Sequence, residues 1–179
     1  VYFDLNQTHK ARGDHDLSIE YLTMTLDLNK QLNDTNLLIK ILFDKISSFE
    51  NSYELDSALV TAFHAFNISS KYENRELSAK SLFHIGYINK LKKDYVKALK
   101  YLNKSLNILP YQPFSELRKF IYKELGDVYN KAGQSDKAYA YLLQYTMLND
   151  SILNKNRLES FTNLALKYGT KEKEKSFEL

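Results

Sequence analysis

The chain has 179 residues, 44% of them hydrophobic. That is enough for a core, so wholesale disorder is excluded and the length suits one domain or one continuous array. A net charge of +3 with acids and bases interspersed argues against a nucleic-acid binder, which concentrates its basic residues on one face. Cysteine is absent, which removes disulfides and thiolate chemistry, and five Gly with two Pro leave few breaks, so an all-α fold of long helices is expected.

The opening "VYFDLNQTHK" lacks the basic-then-apolar order of a secretory signal. It starts in the middle of a pattern, so a piece of a longer protein is expected. Small residues recur at a spacing of about 40: Ser18, Ala58, Ala98 and Ala138, in "DLSIEYL", "LDSALVTA", "YVKALKYL" and "SDKAYAYL". Four places on stand Leu22, Ala62, Leu102 and Leu142, and twelve places back stand Asn6, Ile46, Gly86 and Gly126. Self-similarity at a fixed period marks a repeat architecture.

In chain order, each unit reads as a helix A followed by a helix B. The first A helix holds Asn6 and stops at Gly13, and its B helix starts near Asp14. The second A helix holds Ile46, with B starting near Glu54. The third holds Gly86 in "SLFHIGYINKL", with B starting near Asp94 and ending on Pro110. The fourth holds Gly126 in "FIYKELGDVYNKAG", stops at Gly133, and gives way to a B helix from Ser135. Asp and Ser at these starts can cap free N–H groups, and Gly suits the left-handed residue after a helix end. A fifth A-type helix is expected from Asp150, so residues 1–150 form four helix pairs, the first truncated, and 151–179 a terminal helix with a charged tail.

These residues resemble the tetratricopeptide repeat family. Its pattern falls on Leu82, Ile85-Gly86, Asn89, Ala98, Leu102 and Pro110, then on Tyr122, Leu125-Gly126, Tyr129, Ala138 and Leu142, with Asp150 in place of Pro. The usual period is about 34 residues; the extra length lies around "PYQPFSELR" and its counterparts. The first two units depart from the pattern at Asn6 and Ile46. The resemblance implies a right-handed α-solenoid, with Ala98 small because helix B crosses helix A closely there, opposite Gly86.

No catalytic constellation stands out. His9, His15, His64 and His84 are scattered, with no metal-ligand spacing, no phosphate-binding glycine loop and no G-x-S-x-G. No enzymatic activity and no cofactor or metal are therefore expected of this segment. Binding is the better reading. The resemblance implies that the A helices line a concave groove, where Phe3, Phe43, Phe83 and Lys123 share one position. Tyr87 and Asp127 lie a turn later, Lys40, Lys80 and Phe120 a turn earlier, and Lys90 and Asn130 further on. Aromatic anchors with polar rims suit a peptide or protein partner; the alternative is that these phenylalanines fill the interior of longer helices. Related domains that clamp a chaperone's terminal carboxylate use Lys and Asn on successive A helices. Here Ser47, Tyr87 and Asp127 take the Asn-type slots, and Asp127 would repel a carboxylate.

The tail carries a second resemblance, to the end of the repeat region in Bacteroidetes-type sensor histidine kinases. It rests on Leu148–Ile152, Lys167, Tyr168, Lys171–Lys175 and Leu179. What it implies is a periplasmic ligand-binding sensor module of a two-component signalling protein, a membrane span after Leu179, and self-association through the C-terminal helix. Two other readings stay open: a cytoplasmic peptide-binding domain of a transcriptional regulator, and a constitutive interaction scaffold. No run of about eighteen apolar residues occurs within the segment itself.

Overall fold

A computed structural model describes residues 2–32 and 34–177, with the side chains of Phe3, Leu32, Ala165 and those from 167 onward left undescribed. Among the described residues there are eight helices and no strand: α1 (Tyr2–Arg12), α2 (His15–Leu32), α3 (Thr35–Asn51), α4 (Leu55–Lys71), α5 (Arg75–Leu91), α6 (Tyr95–Ile108), α7 (Glu116–Lys131) and α8 (Ser135–Phe177). The B helices start at His15, Leu55, Tyr95 and Ser135, which keeps the 40-residue step throughout. Each helix packs on the next, and the A helix α5 also touches the A helices α3 and α7. The molecule is an all-α solenoid of tetratricopeptide-like helix pairs.

The turns explain the helix boundaries. At each A-to-B turn one residue adopts the left-handed conformation: Gly13, Tyr53, Lys93 and Gly133, at φ of 82, 61, 63 and 74°. The following N–H reaches back five residues to an A-helix carbonyl, as in Asp94 to Asn89 at 2.9 Å and Gln134 to Tyr129 at 2.9 Å. This bond closes the orphan carbonyls of the helix end. Capping at the helix starts is less regular than the sequence suggests. Asp94 accepts from the Lys97 N–H at 3.0 Å, but Glu54 makes no side-chain cap. Gln134 rather than Ser135 stands before α8. Asp34, Asn74 and Ser115 cap α3, α5 and α7.

Two apolar clusters form the core. One gathers α3, α4 and α5 around Leu42, Ile46, Ala62, Ala65, Leu82 and Ile85; the other joins α5, α6 and α7 around Ala98, Leu102, Ile121 and Leu125. Ala98 is fully buried, yet the closest approach to Gly86 comes from Leu102, one turn further on. A Cβ at Gly86 would lie 2.7 Å from Leu102 Cγ, and one at Gly126 would lie 2.7 Å from Leu142 Cγ. In the second unit the sizes are reversed, Ile46 against Ala62, both fully buried. The departure at Ile46 thus moves the bulk from helix B to helix A, with the small partner now on helix B. In the first unit Asn6 accepts from Ser18 Oγ at 2.6 Å, and Ser18 Oγ lies 2.8 Å from Ser48 Oγ. There a polar bridge replaces the glycine contact.

The fifth A-type helix expected from Asp150 does not form as a separate element. Helix α8 runs unbroken for 43 residues, through Gly169. "LNDSIL" offers a capping Asp, but among the described residues none between Ser135 and Asp150 takes a left-handed conformation such as that of Glu73 between α4 and α5. A cap stabilises a helix start and does not by itself end the helix before it.

Candidate functional site

A groove crosses the A helices where two clefts meet at Leu77 and Lys80 of α5. The larger, about 620 Å³, lies between α5 and α7 and is closed at one end by the 110–115 loop. Its walls are Leu77, Phe83, Phe114, Leu117 and Phe120, with Lys80, His84, Glu76 and Glu116 as polar groups. The smaller, about 460 Å³, lies between α3 and α5 and reaches Gln7 of α1. Ile39, Lys40, Phe43 and Asp44 line it.

The 110–115 loop is held by α7. Ser115 Oγ accepts from the Arg118 N–H at 3.2 Å, and Arg118 Nη2 donates to the Leu109 carbonyl at 3.2 Å. These bonds place Phe114, 44% exposed, at the mouth of the larger cleft. Across it stands Phe120, 45% exposed, with the Lys119 ammonium 5.1 Å from its ring centre.

Charge in the groove centres on Lys80. Its ammonium lies 4.3 Å from the Phe43 ring centre, a cation–π arrangement. Among the described residues no carboxylate lies within ion-pairing distance of it. Burial pushes the Lys80 pKa below its ordinary value and Lys10 adds to that, while Asp44 and Glu76 pull the other way. Asp44 is already engaged, accepting from Gln7 Nε2 at 3.0 Å and Lys10 Nζ at 3.2 Å. Deeper in the cleft His84 Nδ1 sits 2.9 Å from Glu50 Oε1, and its ring lies against Phe43 and Phe83.

The other end of the A helices is a neutralised cluster. Lys90 bonds Glu124, lies 3.2 Å from Asp127, and sits 4.7 Å from the Tyr87 ring centre. Asp127 also accepts from Lys131 at 3.1 Å. Burial acts against the Lys90 charge, but the hydrogen bonds and charges of Glu124 and Asp127 outweigh it and raise its pKa. Burial likewise opposes ionisation of Asp127, and the bonds from Lys131 and Lys90 overcome it, holding the carboxyl below its usual range.

The residues picked from the sequence therefore separate. Lys40, Phe43, Lys80, Phe83 and Phe120 line the two clefts. Phe43 does so from within the core, only 8% exposed, whereas Phe83 is half-buried, stacked on Tyr87 with centres 6.2 Å apart. Tyr87 and Asp127 belong to the ion-paired cluster. Lys123 and Asn130 are exposed on α7 and line neither cleft. The side chain of Phe3 lies outside the described residues. Sequence reasoning missed His84, Phe114 and Asp44. The one available signal was the two-proline insert "PYQPF", whose extra length supplies the cleft's end wall. Among the described residues no three His, Asp or Glu side chains gather to hold a metal ion, and no helix is long and apolar enough to cross a membrane.

Residues 79–110 match the tetratricopeptide repeat family model, covering most of α5, all of α6 and the Gly86–Leu102 contact. No curated protein matches the chain in sequence. Among solved structures, the apo form of RapI is similar at a TM-score of 0.78 and 21% identity, over 89% of this chain and 58% of RapI. A signal transduction ATPase with numerous domains, bearing a tetratricopeptide repeat sensor, from Pyrococcus horikoshii is similar at 0.73 and 21% identity, over 87% of this chain and 24% of that one. A Rap protein complexed with Competence and Sporulation Factor is similar at 0.70 and 17% identity, over 89% of this chain and 45% of that one. This chain thus spans about three fifths of RapI and less of the other two, and at these identities the likeness is one of fold.

Proposed function

We propose that this chain is a non-catalytic binding module that takes an extended peptide, or a protein segment, in the groove across its A helices. The observation that carries the reading is Lys80: a cation set on an aromatic face between two clefts, with Asp44, the acid that acts on it most, already bonded to Lys10. A ligand carboxylate supplies the missing charge there, and an apolar ligand side chain fills the space between Phe83, Phe114 and Phe120. The partner is thus a segment with an acidic residue next to a large apolar one. Lys40, Phe43, Lys80, Phe83 and Phe120 make the contacts, while Tyr87, Asp127, Lys123 and Asn130 shape or flank the groove.

The module serves signal transduction. The tail resemblance supports the sensor region of a two-component histidine kinase on the extracytoplasmic side of a membrane. A second context is the peptide-binding domain of a cytoplasmic transcriptional regulator, for which the peptide-binding part has the support of a shared fold with a Rap protein complexed with Competence and Sporulation Factor. Both contexts use the same groove.

Panning a random peptide library on the immobilised chain tests the binding claim. Selected peptides carry an acid beside an aromatic or Leu, and they lose at least about tenfold in affinity, 1.4 kcal/mol, on Lys80→Glu and on Phe120→Ala. Equal binding to both variants would remove the groove from the account.

A further inference from the structure

Helix α8 presents one face to the array and, among the described residues, leaves another exposed. It is anchored by Ile152, 5% exposed, and by Lys155, whose ammonium lies 5.1 Å from the Phe114 ring centre. On the opposite side Leu143, Asp150, Arg157 and Leu164 recur at every seventh residue, so they form one stripe along the helix. Leu143 and Leu164 are 47 and 50% exposed, and Asp150 and Arg157 are also exposed. Met147 and Phe161, 64 and 70% exposed, widen the stripe one turn outside each charged residue. Among the described residues neither Asp150 nor Arg157 has an ion-pair partner.

The order along that stripe is apolar, acid, base, apolar. Such a pattern is complementary to itself when reversed. A second copy laid antiparallel, with its twofold axis midway between Asp150 and Arg157, sets Leu143 on Leu164 and Asp150 on Arg157, each twice. In a parallel pairing acid meets acid and base meets base, which is unfavourable. The contact runs from 143 to 164, about 33 Å of helix. The two solenoids hang from the far side of each helix, on the Ile152 and Lys155 face, and so stay clear of one another.

We propose that the chain forms an antiparallel homodimer through this stripe of α8, with Asp150 of each copy paired to Arg157 of the other. The surface is independent of the groove, so each claim can fail alone.

Sedimentation of the 179-residue chain across concentrations up to about 100 µM tests it, with Asp150→Arg and Arg157→Asp as variants. Both positions are exposed and lie outside the core, so the helical circular dichroism of each variant should match the wild type. The wild type is expected to dimerise, and each single variant to weaken self-association at least tenfold by placing like charges together. An equimolar mixture of the two variants restores the dimer, since every Arg then faces an Asp. Because the chain has no cysteine, Leu143→Cys and Leu164→Cys fix the orientation. Cross-linking occurs in a mixture of the two and not in either alone. A wild type monomeric throughout, a dimer indifferent to both charge changes, or Leu143→Cys cross-linking to itself would each overturn the proposal.

Discussion

A methyl group added at Gly86 would meet Leu102 at both its Cγ and its backbone nitrogen, 2.7 and 3.0 Å away. Backbone cannot give way as a flexible side chain can, so Gly86→Ala is expected to cost about 1–3 kcal/mol in urea unfolding. Gly126→Ala should cost less, because its neighbour Leu142 is 42% exposed and can swing outward. Combining Gly86→Ala with Leu102→Ala should cost less than the sum of the two by at least about 0.5 kcal/mol; strict additivity would mean that the contact is not the cause. Lys93 offers the opposite case. It holds φ of 63°, a conformation that costs a side-chain-bearing residue about 1–2 kcal/mol, whereas Gly adopts it freely at an entropic cost of about 0.5–1 kcal/mol. Lys93→Gly is therefore expected to stabilise by about 0.5–1 kcal/mol, and a lowered urea midpoint would contradict the strain argument. The step of 40 made these positions legible in sequence, since Gly13 and Gly133 mark the same turn as Lys93. The exchange of bulk between Ile46 and Ala62 was not legible, because it shows only when both helices are placed.

At the scale of elements, α5 and α7 are joined by Lys90, Glu124, Asp127 and Lys131. The carboxyl of Asp127 titrates below its ordinary 3.8 in the folded chain. Its contribution is thus present above that value and lost as pH falls through the folded one. Lys90 titrates above its ordinary 10.5, so its contribution is present below 10.5 and lost as pH rises beyond it. At neutral pH Lys90→Met is expected to destabilise by about 1–3 kcal/mol, since it leaves Glu124 without its charged donor. The difference from wild type should shrink below about pH 4 and above about pH 10.5; a difference independent of pH would mean that the loss is one of packing. This cluster could not be read from the sequence, where Lys90 and Glu124 are 34 positions apart and nothing local pairs them. The continuity of α8 was hidden for another reason. Asp150 satisfies the rule for a helix start, and composition does not tell whether a turn precedes it, since Tyr53, Glu73 and Lys93 take left-handed turn positions without being Gly.

For the whole molecule, the solenoid and its period follow from spacing alone, while the groove depends on how far each A helix stands from the next. Phe43 and Phe83 occupy the same position in successive units. Phe43 lines its cleft from within the core, whereas Phe83 is half-buried and borders the larger cleft, one end of which is the 110–115 insert. No periodicity encodes such an insert, so its Phe114 escaped notice. The central claim is that ligand enters this groove, and hydrogen exchange on the 179-residue chain with a peptide selected by panning tests it most directly. Slowed exchange is predicted in residues 76–87 of α5 and in 112–120, around Lys80, Phe114 and Phe120, with α4 and α6 unchanged. Protection confined to α4 and α6, with α5 and the 112–120 stretch unaltered, would contradict the account.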